Sequence, residues 1–313
     1  MLGLFKRRFD ETALVAVCPT EEGIPCARVR RHKDQPPVLE LCKVQKLDNI
    51  GIQGAEIARL TRADRLDEQL CVTTLEVGSY SLLLVEAPDV PSSELRAAIR
   101  WRVKDLIDFH IDDAVIDVFD VPNQRMSGGN QMMYAVVARS SMVRRQVDLL
   151  TEAGLKLEVI DIPELALRNI AALLPEDVAG VVMLYLYPRG GLITITRQTT
   201  LYLSRRLDLG YEALGVDLDS AMPRLDRIVV EIQRSLDYHE SHFSQPPVTN
   251  VVIAPVPGEI AGMDEYLSRQ LGISVRLLDL NALIDMDMPL EPELQSQCML
   301  AIGAALRNES KEL

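Results

Sequence analysis

Aromatic residues are scarce. Phe, Trp and Tyr make up 4% of the 313 residues, and Trp101 is the single tryptophan. A protein that stacks nucleobases needs aromatic platforms, so this shortage argues against one. Positive charge is also short: 33 Lys and Arg stand against 46 Asp and Glu, a net charge of −13. Nucleic-acid backbones are bound through an excess of cationic surface, and no nucleic-acid partner is expected. The longest near-apolar run, Val178 to Tyr187, stops at Pro188-Arg189, well below the ~20 residues that span a bilayer. The opening Met1–Phe9 stretch lacks the apolar core of an export signal. Gly3 is third, not second, so a myristoylation signal is absent.

Cysteine usage excludes more. Cys18, Cys26, Cys42, Cys71 and Cys298 are odd in number and form no Cys-x-x-Cys pair. Without an export signal they read as reduced, buried cytosolic thiols. No phosphate-binding Walker loop, dinucleotide fingerprint, Gly-x-Ser-x-Gly elbow or His-Glu-x-x-His zinc motif is present. His239 and His242 lie three apart on a helical stretch, but zinc needs further ligands, and His32 and His110 are remote in sequence. No metal site is expected. The acidic pairs Asp112-Asp113 and Asp285/Asp287 read as solvated loop residues.

What remains is a chain rich enough in apolar residues, at 48%, to bury a core in about two domains. Ala13–Val17, Cys26–Arg30 and Val38–Val44 read as a β-meander, punctuated by Glu21-Glu22-Gly23 and by Pro36-Pro37. A helical stretch at 52–66 and strands at 71–76 and 80–86 follow. Pro88–Pro91 marks a boundary, after which Ser92 or Ser93 can cap a helix carrying Leu95, Ile99, Val103, Leu106 and Ile107. Strands at 115–121 and 131–138 flank a Ser127-Gly128-Gly129-Asn130 turn. A helix at 142–153, a strand at 157–160 and a helix at 163–174 complete this block. A second meander runs through 181–187, 192–196 and 199–205. A long amphipathic helix at 223–243 comes next, then a strand at 248–254, a helix at 262–271, a strand at 275–278 and a helix at 294–306. The meander-then-helix pattern thus occurs twice, without a residue-level repeat.

Several stretches carry a resemblance. They are Glu94-Leu95-Arg96-Ala97-Ala98-Ile99-Arg100-Trp101, Ala135-Val136-Val137-Ala138-Arg139, and Val159-Ile160-Asp161-Ile162-Pro163-Glu164 with Ala166-Leu167. Ile107-Asp108-Phe109, Asp117-Val118-Phe119, Leu150 with Ala153-Gly154-Leu155, Glu231-Ile232-Gln233-Arg234-Ser235-Leu236-Asp237-Tyr238 and Ala301-Ile302-Gly303-Ala304-Ala305-Leu306-Arg307 complete the set. Their order and spacing resemble the actin-like ATPase superfamily and, more closely, the PilM-type proteins of type IV pilus assembly. Within these the wording is most similar to the mannose-sensitive haemagglutinin (MSHA) branch. The resemblance implies an α/β, actin-like (ribonuclease H-like) fold of two lobes, with a small α/β subdomain inserted in the first. Residues 1–87 would form the first lobe, completed by about 161–178 and 292–313. Residues 88–160 would form the insertion and 179–291 the second lobe.

The superfamily holds nucleotide phosphates on hairpin turns that need an acid for the metal and glycines for close amide approach. The first turn here is Cys18-Pro19-Thr20-Glu21-Glu22-Gly23, with no Asp-x-Gly and two carboxylates that would repel a triphosphate. The second is Tyr187-Pro188-Arg189-Gly190-Gly191, where the acid is missing; Arg189, Gly190 and Gly191 read either as an anion site or as a plain hairpin turn. The adenosine turn would be Pro255-Val256-Pro257-Gly258, which lacks a glycine pair. Glu231 and Arg234 read either as adenosine contacts or as a surface ion pair. The expectation is therefore a scaffold without catalytic residues and without a cofactor. The alternative is an active ATPase or nucleotide switch using ATP with Mg.

PilM-type proteins bind the cytoplasmic tail of a PilN-like bitopic inner-membrane protein. By that resemblance Arg96, Arg100, Trp101 and Lys104 are candidate tail contacts, Trp101 as an anchor. The other reading is a solvated basic stripe, with Lys104 paired to Asp108 and Trp101 in the core. Leu2, Leu4, Phe5, Lys6, Arg7 and Arg8 read either as a weak membrane contact or as a frayed tail. The implied place is cytoplasmic and peripheral at the inner membrane, linking the tail to the pilus motor ATPase. A component of a type II secretion platform, which shares the implied fold, is the further alternative.

Overall fold

Alternation of apolar residues along short runs, punctuated by Gly and Pro, gives strands, and longer runs of 3.6 periodicity give helices. In the computed structural model, which describes residues 12–32, 35–47, 49–121, 131–243, 245–258 and 260–308, the chain divides into two units. The first draws on residues up to Leu75, on Arg145–Ile170 and on the chain from Leu280. The second draws on Glu76–Arg144 and Ala171–Asp279.

The first unit is built on β1 (Ala13–Val17), β2 (Gly23–Arg30) and β3 (Val38–Lys46), an antiparallel meander. β4 (Leu70–Thr74) adds parallel to β1, and β8 (Lys156–Asp161) adds parallel to β4. The two-residue β14 (Asp285–Met286) closes the far edge, giving the order β14-β3-β2-β1-β4-β8. Alternate residues of a strand point to opposite faces. Val15, Val17, Cys26 and Cys71 meet Ile57 and Leu60 of α1 (Gln53–Ala63) and Leu150 of α3 (Ser140–Glu152). α7 (Pro292–Ala305), buried throughout its last turn and at nine positions in all, packs against β1 to β4. Gly303 lets α7 meet α4 (Pro163–Ala171): a methyl there would lie 2.3 Å from the Ala166 carbonyl oxygen, and the Gly303 carbonyl accepts from Asn169 at 2.9 Å.

The second unit contains two sheets. β5 (Tyr80–Glu86), β7 (Met132–Arg139) and β6 (Ala114–Asp120) form an antiparallel sheet in that order. α2 (Ser92–Val103) seals one face with Ile99 and Val103 against Val85, Val118, Met133, Ala135 and Val137. The other sheet has the order β11-β10-β9-β12-β13. Its strands are β9 (Val181–Tyr187), β10 (Gly190–Arg197), β11 (Thr200–Leu207), β12 (Asn250–Ile253) and β13 (Ser274–Leu277). α5 (Leu218–His242) and α6 (Met263–Leu271) cover it through Leu225, Ile228, Ile232, Met263 and Leu267. A bulge sets Ile195 opposite Leu203 and Thr196 opposite Leu201, leaving Tyr202 as the extra residue. Tyr202 joins Tyr134, Phe243 and Val121 in a buried cluster, and its carbonyl accepts from the Tyr134 hydroxyl at 3.3 Å.

Both meanders form as the sequence implies. Three details differ from the reading. β5, assigned above to the first lobe, pairs with β7, and β8, assigned to the insertion, pairs with β4; the break at Pro88–Pro91 therefore lies inside the three-stranded sheet. The long helix starts at Leu218, not Pro223, because the Asp217 carboxylate caps it by accepting from the Ser220 amide at 2.9 Å. Pro223 sits within the helix, where proline usually marks the first turn. Asp285 lies in β14 and not in a loop, though it is exposed. The Ser127–Asn130 turn and the N-terminal Leu2, Leu4, Phe5, Lys6, Arg7 and Arg8 lie outside the described residues.

Candidate functional site

The first candidate element is the β1–β2 turn. A phosphate-holding turn works by aiming free backbone amides outward. Here the amides point inward. The Thr20 hydroxyl accepts from the Glu22 amide at 3.3 Å and the Gly23 amide at 3.2 Å. The Thr20 amide donates to the Gly23 carbonyl at 2.8 Å, and the buried Cys18–Pro25 rung closes below it at 3.0 Å. The Gln53 side chain of α1 holds the Thr20 carbonyl at 3.0 Å. Glu21 and Glu22 are exposed at the tip. This is a Thr-closed turn flanked by two acids, a poor seat for an anion.

Parallel strands β1, β4 and β8 end together, the usual place for ligand chemistry in α/β sheets. β8 ends at Asp161, which the sequence reading quoted as part of the family pattern without assigning it a role. Its side chain is 2% exposed. One oxygen accepts from its neighbour's amide, Ile162, at 2.8 Å, and the other is 2.8 Å from the Arg307 guanidinium. Burial pushes the Asp161 carboxyl above the usual carboxylate range, and the Arg307 charge pulls it back. Beside it, Gln146 donates to the Thr73 hydroxyl at 2.8 Å and the Thr74 carbonyl at 2.9 Å. Asp161 is thus engaged on both oxygens within its own unit.

In the second unit, the β9–β10 turn is Pro188-Arg189, between the paired Tyr187 and Gly190. Arg189 is exposed, while Gly190 and Gly191 are buried. A methyl on Gly190 would lie 2.3 Å from the Tyr187 hydroxyl oxygen, so the phenol covers that glycine. A methyl on Gly191 would lie 2.8 Å from a Leu186 methyl carbon. Gly210 closes the other side: a methyl there would lie 2.2 Å and 2.3 Å from the Tyr187 and Pro188 carbonyl oxygens and 2.4 Å from the Gly190 nitrogen. The Glu212 amide donates to the Pro188 carbonyl at 3.1 Å. The structure therefore supplies a packing reason for these glycines: each admits another part of the chain. Beyond β12, Val256 and Ile260 sink into the core, which binds the Pro255–Gly258 turn to the sheet.

Glu231 and Arg234 do pair, at 2.6 Å, and Arg205 of β11 takes the second Glu231 oxygen at 3.1 Å. The triad borders a groove of about 440 Å³ lined by Arg206, Asp208, Asp226, Arg227 and Val230 among others. His239 and His242 do not converge. His239 is buried against Tyr202 and Phe243, while His242 is exposed and stacks on Tyr238 at 3.8 Å. Burial and the Arg197 charge lower the His239 pKa to about 4. Among the described residues no three His, Cys, Asp or Glu side chains gather as metal ligands.

The basic stripe resolves into separate roles. Arg100 reaches under the helix to the Ile111 carbonyl at 2.7 Å, the Ala114 carbonyl at 3.3 Å and Asp112 at 3.3 Å. It is a strut of the subdomain. Arg96 makes only a long exposed pair with Asp117 at 3.4 Å. The expected Lys104–Asp108 pair is replaced: Asp108 meets Arg139 at 3.2 Å, and the Lys104 ammonium sits 5.8 Å from the Trp101 ring centre. The core alternative for Trp101 fails, for it is 75% exposed, with Leu106 at 57% a few residues on. An exposed Trp beside an exposed Leu and a Lys is a candidate anchor for a partner.

No protein-family model matches the chain, and no curated protein matches it. Solved structures do. The chain is similar to a protein of the PilM–PilN type IV pilus biogenesis complex, with a TM-score of 0.73 and 20% identity over 94% of this chain and 97% of that one. It is similar to the cytoplasmic domain of EpsL, an inner-membrane component of the type II secretion system of Vibrio cholerae. There the TM-score is 0.51 and the identity 12%, over 95% and 96% of the two chains. A Bacteroides thetaiotaomicron protein of unknown function with an actin-like ATPase fold matches at a TM-score of 0.52 and 8% identity, over 96% and 98%. With paired meanders each backed by helices and an added three-stranded sheet, the chain has the actin-like ATPase fold in its PilM-like form.

Proposed function

We propose that this protein is a non-catalytic scaffold of type IV pilus assembly. In this reading it stands at the cytoplasmic face of the inner membrane, holds the cytoplasmic tail of a PilN-like protein, and links that tail to the motor ATPase. The observation that carries it is the likeness, over nearly the whole chain, to a protein solved in complex with PilN. The sequence wording favours the MSHA pilus and its component MshI within that group. The weaker likeness to EpsL supports the secretion-platform reading less, at a TM-score of 0.51 against 0.73.

The non-catalytic half rests on the two turns and Asp161. Mg-ATP needs outward amides and a carboxylate free to hold the metal's water shell. The β1–β2 amides are spent on Thr20, Gly190 lies under Tyr187, and Asp161 is held by Arg307. These residues do not fit the nucleotide. For the tail we infer docking at the α2 surface, with Trp101 as anchor and Arg96 and Lys104 beside it. The test is calorimetric titration of the purified protein with Mg-ATP and, in a second arm, with the tail peptide of the PilN-like protein. Saturable heat from the peptide and none from Mg-ATP is the expected result. Micromolar Mg-ATP binding would replace the scaffold with a nucleotide switch, and silence in the peptide arm would remove the tail assignment.

A further inference from the structure

All five cysteines fall in the first unit, and two of them meet across a helix–sheet contact. Cys26 faces the α1 side, within the Val15, Ile57 and Leu60 cluster. In the β2–β3 register Cys26 stands opposite Lys43 and Ala27 opposite Cys42. Alternation therefore turns Cys42 to the other face, where α7 packs on β3. The fully buried Cys298 of α7 lies directly over this point, its thiol donating to the Lys43 carbonyl at 3.5 Å. The Cys42 side chain lies within hydrogen-bonding reach of the Cys298 thiol. Cys42 is half-buried, whereas Cys18, Cys26 and Cys71 are buried.

We infer that Cys42 and Cys298 form a peroxide-sensitive thiol pair, in which Cys42 is the entry point and Cys298 the resolving partner of a disulfide that ties β3 to the C-terminal helix. The chemistry balances with one hydroperoxide. The Cys42 thiolate attacks a peroxide oxygen, the O–O bond breaks, and the sulfur becomes a sulfenic acid as hydroxide leaves. The Cys298 sulfur then attacks that sulfur, an S–S bond forms, and the S–O bond breaks. The departing hydroxide and the Cys298 proton make water. Two thiols are oxidised and one peroxide is reduced.

The roles follow from the surroundings. The Cys42 side chain beside it, and then burial, push the Cys298 thiol well above the ordinary range, so it stays protonated and unreactive until a sulfenic acid forms beside it. Burial likewise pushes the Cys18 thiol up to about 11 and the Cys26 thiol up to about 12. Those thiols lack both exposure and thiolate. Joining β3 to α7 closes a very long chain loop, which constrains the unfolded state most. Oxidation would thereby fasten the C-terminal helix to its sheet.

The test treats the full chain with hydrogen peroxide and reads intact mass, a non-reducing peptide map and the melting midpoint. Expected are a loss of two hydrogens, one linked peptide pair containing Cys42 and Cys298, and a higher midpoint that dithiothreitol reverses. Cys42→Ser, at a half-exposed site, should abolish the crosslink in a folded protein, and Cys298→Ala should leave Cys42 to accumulate sulfenic or sulfinic acid. Cys71→Ser should retain the crosslink. Stepwise oxygen addition to Cys42 in the wild-type chain without a linked peptide would overturn the inference. So would a linkage through Cys18, Cys26 or Cys71.

Discussion

Removing the Arg307 guanidinium while keeping Asp161 should be among the costliest single changes in the first unit. Asp161 is 2% exposed and Arg307 17% exposed. Arg307→Ala leaves a buried carboxylate with the Ile162 amide and the Arg168 charge as its remaining support, and breaking a buried pair this way costs about 3–5 kcal/mol. Asp161→Asn keeps the shape and an oxygen to accept from Ile162. It leaves an Arg that can still reach water, so about 1–2 kcal/mol is expected. The double variant carries no buried charge and should resemble Asp161→Asn alone. The cycle should then show a coupling about as large as the Arg307→Ala loss itself, about 3–5 kcal/mol. pH supplies an internal check. The folded Asp161 pKa is raised, so protonation favours the folded state. Its penalty therefore grows as pH rises above the ordinary Asp value, and Arg307→Ala must enlarge that penalty. The loss in Arg307→Ala should shrink as pH falls toward 4, where the orphaned acid takes a proton. Urea unfolding followed by far-UV circular dichroism includes the first unit, which Trp101 fluorescence does not report directly, because Trp101 lies in the second. A loss under about 1 kcal/mol, or additive single effects, would refute the reasoning.

Trp101→Ala should weaken tail-peptide binding about 30-fold, as loss of a hot-spot anchor costs about 2 kcal/mol. Thermal stability should stay nearly unchanged, because the ring is mostly solvated; unchanged affinity in calorimetry would reject the anchor. Gly210→Ala should cost about 3 kcal/mol, since a methyl 2.2 Å from a backbone oxygen cannot be relieved by a rotamer change; an unshifted urea midpoint would show that the turn is not packed as described. His239 stays neutral when folded down to a pKa of about 4, against 6.5 when unfolded. Below pH 6.5 the unfolded state binds the extra proton, so stability falls with pH until about 4, by about 3 kcal/mol in all. His239→Leu should flatten that slope in acid-dependent melts, and an unchanged slope would assign it to other groups.

The periodic elements were legible because their signals are local. Both meanders, α2 and α7 follow from alternation or helical spacing with Gly and Pro as punctuation. The partnering of β5 and β8 was not, because a strand's own residues do not say which sheet it joins; β8 reaches β4 across some eighty residues. Pro223 misled because a cap formed by Asp217 outweighed the proline's missing amide. At the candidate turns, the absence of an Asp-x-Gly was visible in the sequence. The consumption of the amides by Thr20 was not, nor was the Arg307 lock on Asp161, which joins residues 146 apart in sequence. Trp101 carried no sequence signal that could separate core from surface, since α2 places it beyond the reach of Ile99 and Val103.

The fold and its nucleotide chemistry make different demands on the same hairpins. The sheets require only that each hairpin turn be tight and that its strands hold register, and Thr20 and the Gly190–Gly210 contact meet that demand. Nucleotide chemistry would require in addition that the turns leave donors unspent and that an acid stay unpaired, both of which cost stability when no ligand is present. A chain freed from turnover gains by closing those donors onto itself. Such closure appears at the β1–β2 turn, at β9–β10 and at Asp161, three places far apart in sequence. A single lost acid could be compensated by a neighbour. Three self-satisfied sites together support the proposed scaffold, in which the fold serves for the surfaces it presents, α2 with its exposed Trp101 first among them.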